Sequence, residues 1–406
     1  MEAGLLFNKL FMRILLIFTF LLFLSCSAQE EEKKLDVLDL YSFNSNNTFK
    51  ISETKIFDKN DISGKPFSRI PTITIASNGN ILAACEKRSV MEDKGNIDIL
   101  LALSQDGGKS YSKTVLFESD KEYGRKMNPS FVIDRIGVHG KPGRIYCFVL
   151  SCLPTWKVSY ELDKGEANTL FRYSDDNGLT WSEIFTLGDK IPEECIIFGP
   201  SPSNGTQLDN GTLVIPAFVT LADRSFRTGI IFKTNSGDWK FSYINTAQSK
   251  SENECTIIKY GDGNQILLNA RVENKPNARH VYYSNNIEEK DDSKNIIWSI
   301  HSSNSLFRST GACQASLELV LANLQPFFLF SYPYDNPRKR ICIWKSTNLE
   351  EWTPVYLLTT GYSAGYSVLT FYKNKLFAIY ESDPGVTECT IQDLSPLLSS
   401  LPNINK

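Results

Sequence analysis

The chain has 406 residues, 42% hydrophobic and 22% charged, with a formal net charge of −3. That balance belongs to an ordinary globular protein and gives no reason to expect nucleic acid or an anionic membrane surface as a partner. Twenty-five Phe, seventeen Tyr and six Trp supply aromatic bulk for a large core.

The chain opens on a segment that reads as a targeting signal. Lys9 and Arg13 precede the apolar run Ile14 to Leu24, and the small residues Ser25-Cys26-Ser27-Ala28 follow. A charged start, an apolar stretch too short to span a bilayer comfortably and a small-residue cleavage site predict an export signal over residues 1–28. Phe23-Leu24-Ser25-Cys26 also has the form of a loose bacterial lipobox. Three forms stay open: a cell-surface lipoprotein anchored through Cys26, a freely secreted protein, and, less favoured by the pattern, a retained membrane anchor. Residues 29–64, beginning with Glu30-Glu31-Glu32-Lys33-Lys34, read as a polar tether leading into the first strand.

Residues 65–395 are a succession of short β-type runs, among them TITIA (72–76), IDILLALS (97–104), RIYCFVLS (144–151), TLVIPAFV (212–219), FFLFSY (327–332) and KLFAIYE (375–381). β-Branched and aromatic residues fill each run, and Gly, Asn, Asp or Pro follow it. A weak helical stripe exists only near the end, in IQDLSPLLSSL, and residues 396–406 are taken as a C-terminal tail. Strands without intervening helices make a sandwich, a barrel or a propeller. A single all-β body of this length with recurring turns favours a β-propeller, which grows by adding blades.

One turn is written twice, as Ser104-x-Asp106-x-Gly108-x-Ser110-Tyr111 and as Ser174-x-Asp176-x-Gly178-x-Thr180-Trp181, with eroded copies at 233–242, 283–299 and 345–354. The Asp accepts backbone N–H groups across a hairpin corner, the Gly supplies a positive φ, and the closing aromatic packs under its own blade. Such a turn holds a shape and carries no chemistry.

The cysteines give no disulfide pattern. Cys85, Cys147, Cys255, Cys313 and Cys342 sit in or beside apolar runs without paired spacing, so they read as small buried hydrophobes. With no CxxC pair and only the scattered His139, His280 and His301, no metal site and no cofactor is expected. Gly361-Tyr-Ser-Ala-Gly365 fits the G-x-S-x-G elbow of serine hydrolases, but no His follows His301 and no helical pattern follows Gly365. A serine esterase is excluded.

The repeated turn has the form of the Asp-box, and longer stretches resemble the bacterial exo-α-sialidase (neuraminidase) family, whose fold is a six-bladed propeller. The resemblance runs from about Phe67 to Glu381. Phe67-Ser-Arg-Ile-Pro-Thr-Ile73 is similar to the family's Arg-Ile-Pro entry, which implies Arg69 as the first of three arginines that clamp the sugar carboxylate. The stretch 86–101, EKRSVMEDKGNIDILL, resembles the loop of the acid/base aspartate; this implies Asp93, with Arg88 on the same rim. Residues 253–271 imply Glu254 as the base beside the nucleophile and Arg271 as the second clamp. Residues 336–346, NPRKRICIWKS, imply the third, with Arg338 preferred over Arg340. Residues 361–369, GYSAGYSVL, imply Tyr366 as nucleophile, and the closing Ile379-Tyr-Glu381 implies Glu381 as the acid that buttresses Arg69. Asn128 stands where some relatives have Asp, and Ala315 and Val368 also depart from the pattern, the latter two bearing on substrate preference.

Each residue alone has an ordinary reading: a rim arginine, a loop acid, a core tyrosine. The functional reading rests on their joint occurrence in the family's order. Its residue types also make chemical sense. Sialic acid carries a carboxylate on its anomeric carbon, which Arg binds in a planar bidentate way. A carboxylate nucleophile would be repelled by it, whereas a tyrosine arrives neutral. The resemblance thus implies an exported, monomeric, retaining exo-sialidase acting on sialylated glycans. The alternatives are a sialic-acid-binding lectin and a trans- or intramolecular trans-sialidase, for which Trp156 is the candidate aromatic platform.

Overall fold

A computed structural model describes residues 50–403, apart from residues 236, 247, 262, 274–278, 291–295, 302–312, 336–337, 360 and 362–364. The export-type segment with Cys26 and the first part of the tether lie outside the described residues. Among those described, the strands form six antiparallel sheets, five of them built from strands adjacent in sequence alone. Blade one spans 67–117, blade two 125–186, blade three 195–243, blade four 252–300, blade five 316–357 and blade six 367–393. The fold is a six-bladed β-propeller. Blade six is completed by Ser52–Phe57, which pairs antiparallel with Cys389–Asp393. An outermost strand keeps one face in water, so its sequence, SETKIF, reads as polar and only Ile56 and Phe57 are buried.

The propeller therefore extends beyond 65–395 at both ends. Part of the stretch read as tether is a strand, and the stretch read as tail makes 3-10 turns at Ser395–Ser399 and Leu401–Asn403. Leu397 and Leu401 are fully buried between blades five and six. The apolar spacing in IQDLSPLLSSL thus comes from a strand followed by a turn, not from an α-helix.

Each apolar core lies between two neighbouring blades. Ile73, Ile75 and Ala83 of blade one pack against Val368, Phe377 and Ile379 of blade six. Blades two and three meet around Tyr146, Phe148, Phe171 and Trp239, with Phe148 edge-on to Trp239 at 4.9 Å between centroids. Because both faces of a sheet are covered, strands such as Ile81–Arg88 and Ile97–Ser104 are buried along their whole length. That is why they read as continuous apolar runs and not as alternation. All eight described cysteines are buried thiols, in line with their reading as small hydrophobes.

The repeated turns join the third strand of a blade to the fourth. Asp176 accepts hydrogen bonds from the Thr180 N–H at 2.9 Å, the Thr180 hydroxyl at 2.5 Å and the Ser174 hydroxyl at 2.8 Å. Asp106 does the same with Ser104 and Ser110. Gly178 has φ +94°, and a Cβ there would stand 2.6 Å from Leu82 of blade one. Glycine is thus required twice over, by backbone conformation and by the close approach of the preceding blade. The turn fastens blade to blade.

At the opposite face, where the inner strands begin, several of them carry a bulge. The register slips between Arg69 and Thr72, between Met127 and Ser130 and between Glu252 and Cys255. Bulges re-aim side chains. In the first two the bulge residue is followed by proline: Ile70 with φ 51° before Pro71, Asn128 with φ 53° before Pro129. Proline brings no N–H that the broken ladder would leave unpaired.

Candidate active site

Antiparallel alternation places the start of an inner strand, the end of the second and the start of the third on one face. Arg69 and Glu254 lie at inner-strand starts, Tyr366 just before one, Arg88 and Arg271 near second-strand ends, and Arg338 before a third strand. All of them converge on the bulged face.

Tyr366 is the meeting point. Its ring is buried with Ile70 and Cys313. Its hydroxyl donates a short hydrogen bond to Glu254 Oε1 and accepts one from Arg271 Nη1 at 3.3 Å. Arg271 Nη1 also reaches Glu254 Oε2 at 2.6 Å, and its Nη2 pairs with Glu273 at 2.8 Å. The Arg69 and Arg338 guanidinium carbons lie 5.5 and 5.6 Å from the centre of the Tyr366 ring. Arg340 is directed elsewhere, over the Tyr334 ring. Gly365, at φ +98°, makes this crowding possible: a Cβ would stand 2.9 Å from both Arg338 Cδ and Cys313 Sγ.

Glu381 joins the two ends of the propeller beneath this cluster. Its fully buried carboxylate accepts from Arg69 Nε at 3.0 Å, from the Ile70 N–H at 3.1 Å and from the Tyr366 N–H at 3.3 Å. Burial by itself lowers the Arg69 pKa, but the Glu381 carboxylate more than reverses this, so the guanidinium is firmly charged. Arg271 is raised likewise by Glu254 against its burial. Burial pushes the Tyr366 phenol well above its ordinary value, and Glu254 adds to the rise against Arg271 and Arg338. The phenol is therefore neutral until a base takes its proton.

Asp93 lies on the loop that follows the second strand of blade one, close enough to Arg69 for the two charges to act on each other. Its side chain is 53% exposed and pairs with Arg88 Nη1 at 2.7 Å. Partial desolvation raises its pKa, but Arg88 first, then Arg69 and Arg125, hold it below the usual aspartate value. Solvent on the open side screens part of that effect. Arg88 itself is buried and spends its hydrogen bonds on protein groups: Glu86, Asp93 and the Met91 carbonyl. In this arrangement it anchors the Asp93 loop. Trp156, on a neighbouring loop of blade two, is 74% exposed.

A family profile described as a BNR repeat-like domain matches residues 70–381. The chain belongs to the BNR repeat-like domain family. A relative within reach of full-length comparison is the sialidase of Clostridium perfringens, 26% identical over 88% of this chain and 98% of its own length. The sialidase of Paraclostridium sordellii is 25% identical over 90% of this chain and 94% of its length. Among solved structures, the Hadza microbial sialidase Hz136 superposes with a TM-score of 0.71 at 22% identity, covering 84% of this chain and 68% of that one. This BNR repeat protein thus shares the six-bladed architecture of sialidases over nearly all of its described length.

Three contributors escaped the sequence reading. Glu86, fully buried, holds Arg88 and accepts the Asn128 N–H at 2.7 Å. Its position two residues before Arg88 on one strand, hence on the same face, was the available signal. Gln314 reaches the carbonyls of Pro202 and Ser367 and accepts the Ser367 N–H at 3.2 Å, fixing the backbone next to Tyr366. Arg279, buried beneath the site, donates to Asn269 and to the Cys313 carbonyl, and burial brings its pKa down to about 10. No local pattern marks the last two. Among the described residues no His, Cys, Asp and Glu side chains gather as a metal-binding group.

Proposed function

We propose that this protein is a retaining exo-sialidase that hydrolyses terminal α-linked sialic acids of glycans through a tyrosyl intermediate. Full-length similarity to sialidases supports the substrate class. The observation that carries the mechanism is the Tyr366 hydroxyl bonded to Glu254 inside a ring of Arg69, Arg271 and Arg338. The three guanidiniums receive the sugar carboxylate. Glu254 takes the phenolic proton as the Tyr366 oxygen bonds to the anomeric carbon. The glycosidic bond breaks, and its oxygen leaves with the proton of Asp93. In the second half Asp93 takes a proton from water, the water oxygen displaces the phenolate, and Glu254 returns the proton to Tyr366. Two displacements retain configuration. The export-type start and Cys26 suit a secreted or surface-anchored enzyme.

A fluorogenic α-sialoside tests the reading: the mature protein releases fluorophore and free sialic acid, and Tyr366→Phe lowers kcat/KM by about three orders of magnitude or more. A 2,3-difluorinated sialyl fluoride labels Tyr366 covalently, as peptide mass spectrometry shows. Binding without released sugar would mean a lectin. A sialylated acceptor or anhydro sugar as main product would mean a transferase.

A further inference from the structure

Arg125 begins the inner strand of blade two, next to the catalytic cleft, and is fully buried. Its acceptors are unusual for a buried cation. Nη1 donates to the carbonyls of Pro154 at 3.1 Å and Thr155 at 3.3 Å, and Nε approaches the Met127 sulfur at 3.2 Å. Nη2 is buried with no protein acceptor. An apolar side chain would fill this space without desolvating a charge, so packing does not account for it. The carbonyl of Thr155 has a second donor, the N–H of Gly95 at 2.7 Å, and Gly95 lies two residues beyond Asp93 on the same loop.

The loop of Asp93 is therefore held at two points. From below, Arg88 grips the Asp93 carboxylate and the Met91 carbonyl. From the side, Gly95 hangs on Thr155, and Thr155 is in turn fixed by Arg125. We infer that Arg125 is a positioning residue for acid catalysis, which through the Thr155 carbonyl sets where the loop of Asp93 presents its carboxyl to the departing sugar oxygen. Arg125 also lies close enough to bear electrostatically on Asp93. This inference rests on the assignment of Asp93 as the acid.

The test separates the need for a proton from the rest of the reaction. A 4-nitrophenyl sialoside leaves as a stable phenolate without assistance, whereas a sialyllactose has an alkyl leaving group that must be protonated. Both are read as kcat/KM, which ends at the first irreversible step and so excludes hydrolysis of the intermediate. Arg125→Met is expected to lose roughly tenfold or more on sialyllactose, a part of the 10²–10⁴ that acid–base catalysis supplies, while changing little on the nitrophenyl substrate. Arg125→Lys, which keeps the charge but gathers its donors on one nitrogen and lacks the planar fork, is expected between Arg125→Met and the unmodified protein. If Arg125→Met does not fold, the Lys variant alone decides, and an unchanged substrate ratio there overturns the inference. Equal losses on both substrates do so as well, since they indicate a structural role only. Asp93→Asn is measured alongside. Its loss should be strongly selective for sialyllactose; if it is not, the acid assignment itself fails, whereas selectivity there with none in Arg125→Met removes only the role of Arg125.

Discussion

Against the opposing effect of burial, Arg88 is the main group that lowers the Asp93 pKa, and under the proposed mechanism this sets the pH at which the first step can run. The guanidinium is buried and tied to Glu86, while the carboxylate it grips is half exposed. A depressed pKa suits the proposed second half-reaction, in which Asp93 would act as a base, and works against the first, in which it would have to bring a proton. The kcat/KM profile reports the free enzyme. With the carboxyl held below its usual value of about 3.9, only a shrinking fraction is protonated as the pH rises. For an alkyl-linked sialoside, kcat/KM should fall roughly tenfold per unit between about pH 5 and 7. The nitrophenyl substrate should show a shallower fall. Tyr366 adds no alkaline limb in that range, because burial keeps its phenol protonated. A flat profile for sialyllactose would mean that the Asp93 carboxyl holds its proton through that range or that Asp93 is not the acid.

At the scale of elements, shape and chemistry are assigned to opposite ends of the blades. The Asp-box turns sit between third and fourth strands, and the bulges and the candidate site residues at the other face. Removing the Asp176 side chain leaves the Thr180 and Ser174 donors without their acceptor. Asp176→Ala should cost about 1–2 kcal/mol of stability, measured as a lower denaturant midpoint, with kcat/KM of the folded protein unchanged. A loss of activity without loss of stability would mean that the turn communicates with the far face. The same division explains what the sequence made legible. Turn residues act within a few positions of one another, so Ser174, Asp176 and Gly178 announce the blade corner. Arg-Ile-Pro (69–71) and Asn-Pro (128–129) stand at two bulges, but neither is read as one from the sequence. The bond from Gly95 to Thr155, the grip of Gln314 on Ser367 and the pairing of Ser52–Phe57 with Cys389–Asp393 join distant parts of the chain. No local pattern encodes them, and the outer strand, half in water, read as tether for the same reason.

Across the whole molecule the blades of a propeller surround a central channel, and among the inner strands lies a cavity of about 190 Å³ lined by Ser203, Asn204, Thr206, Lys259, Ser316 and Glu318. Glu318 is half-buried by surface exposure because the cavity is open to it, yet it lies deep among the blades. Burial pushes its carboxyl up to about 8, against the opposing influence of Arg135 and the Leu319 N–H. An unfolded glutamate titrates near 4.3. Below that pH both states hold the proton and the group favours neither. As the pH rises toward about 8, the unfolded chain gives up a proton that the channel retains. Unfolding is then increasingly favoured, and the stability present at low pH is lost once the folded pKa is passed. Glu318→Gln cannot titrate and escapes this loss. The difference in Tm between Glu318→Gln and the unmodified protein should shift in favour of the variant from about pH 4.5 to 8.5 and level off above it. A difference that stays constant over that range would show that Glu318 ionises freely in the channel, and that water there solvates it as well as bulk solvent does.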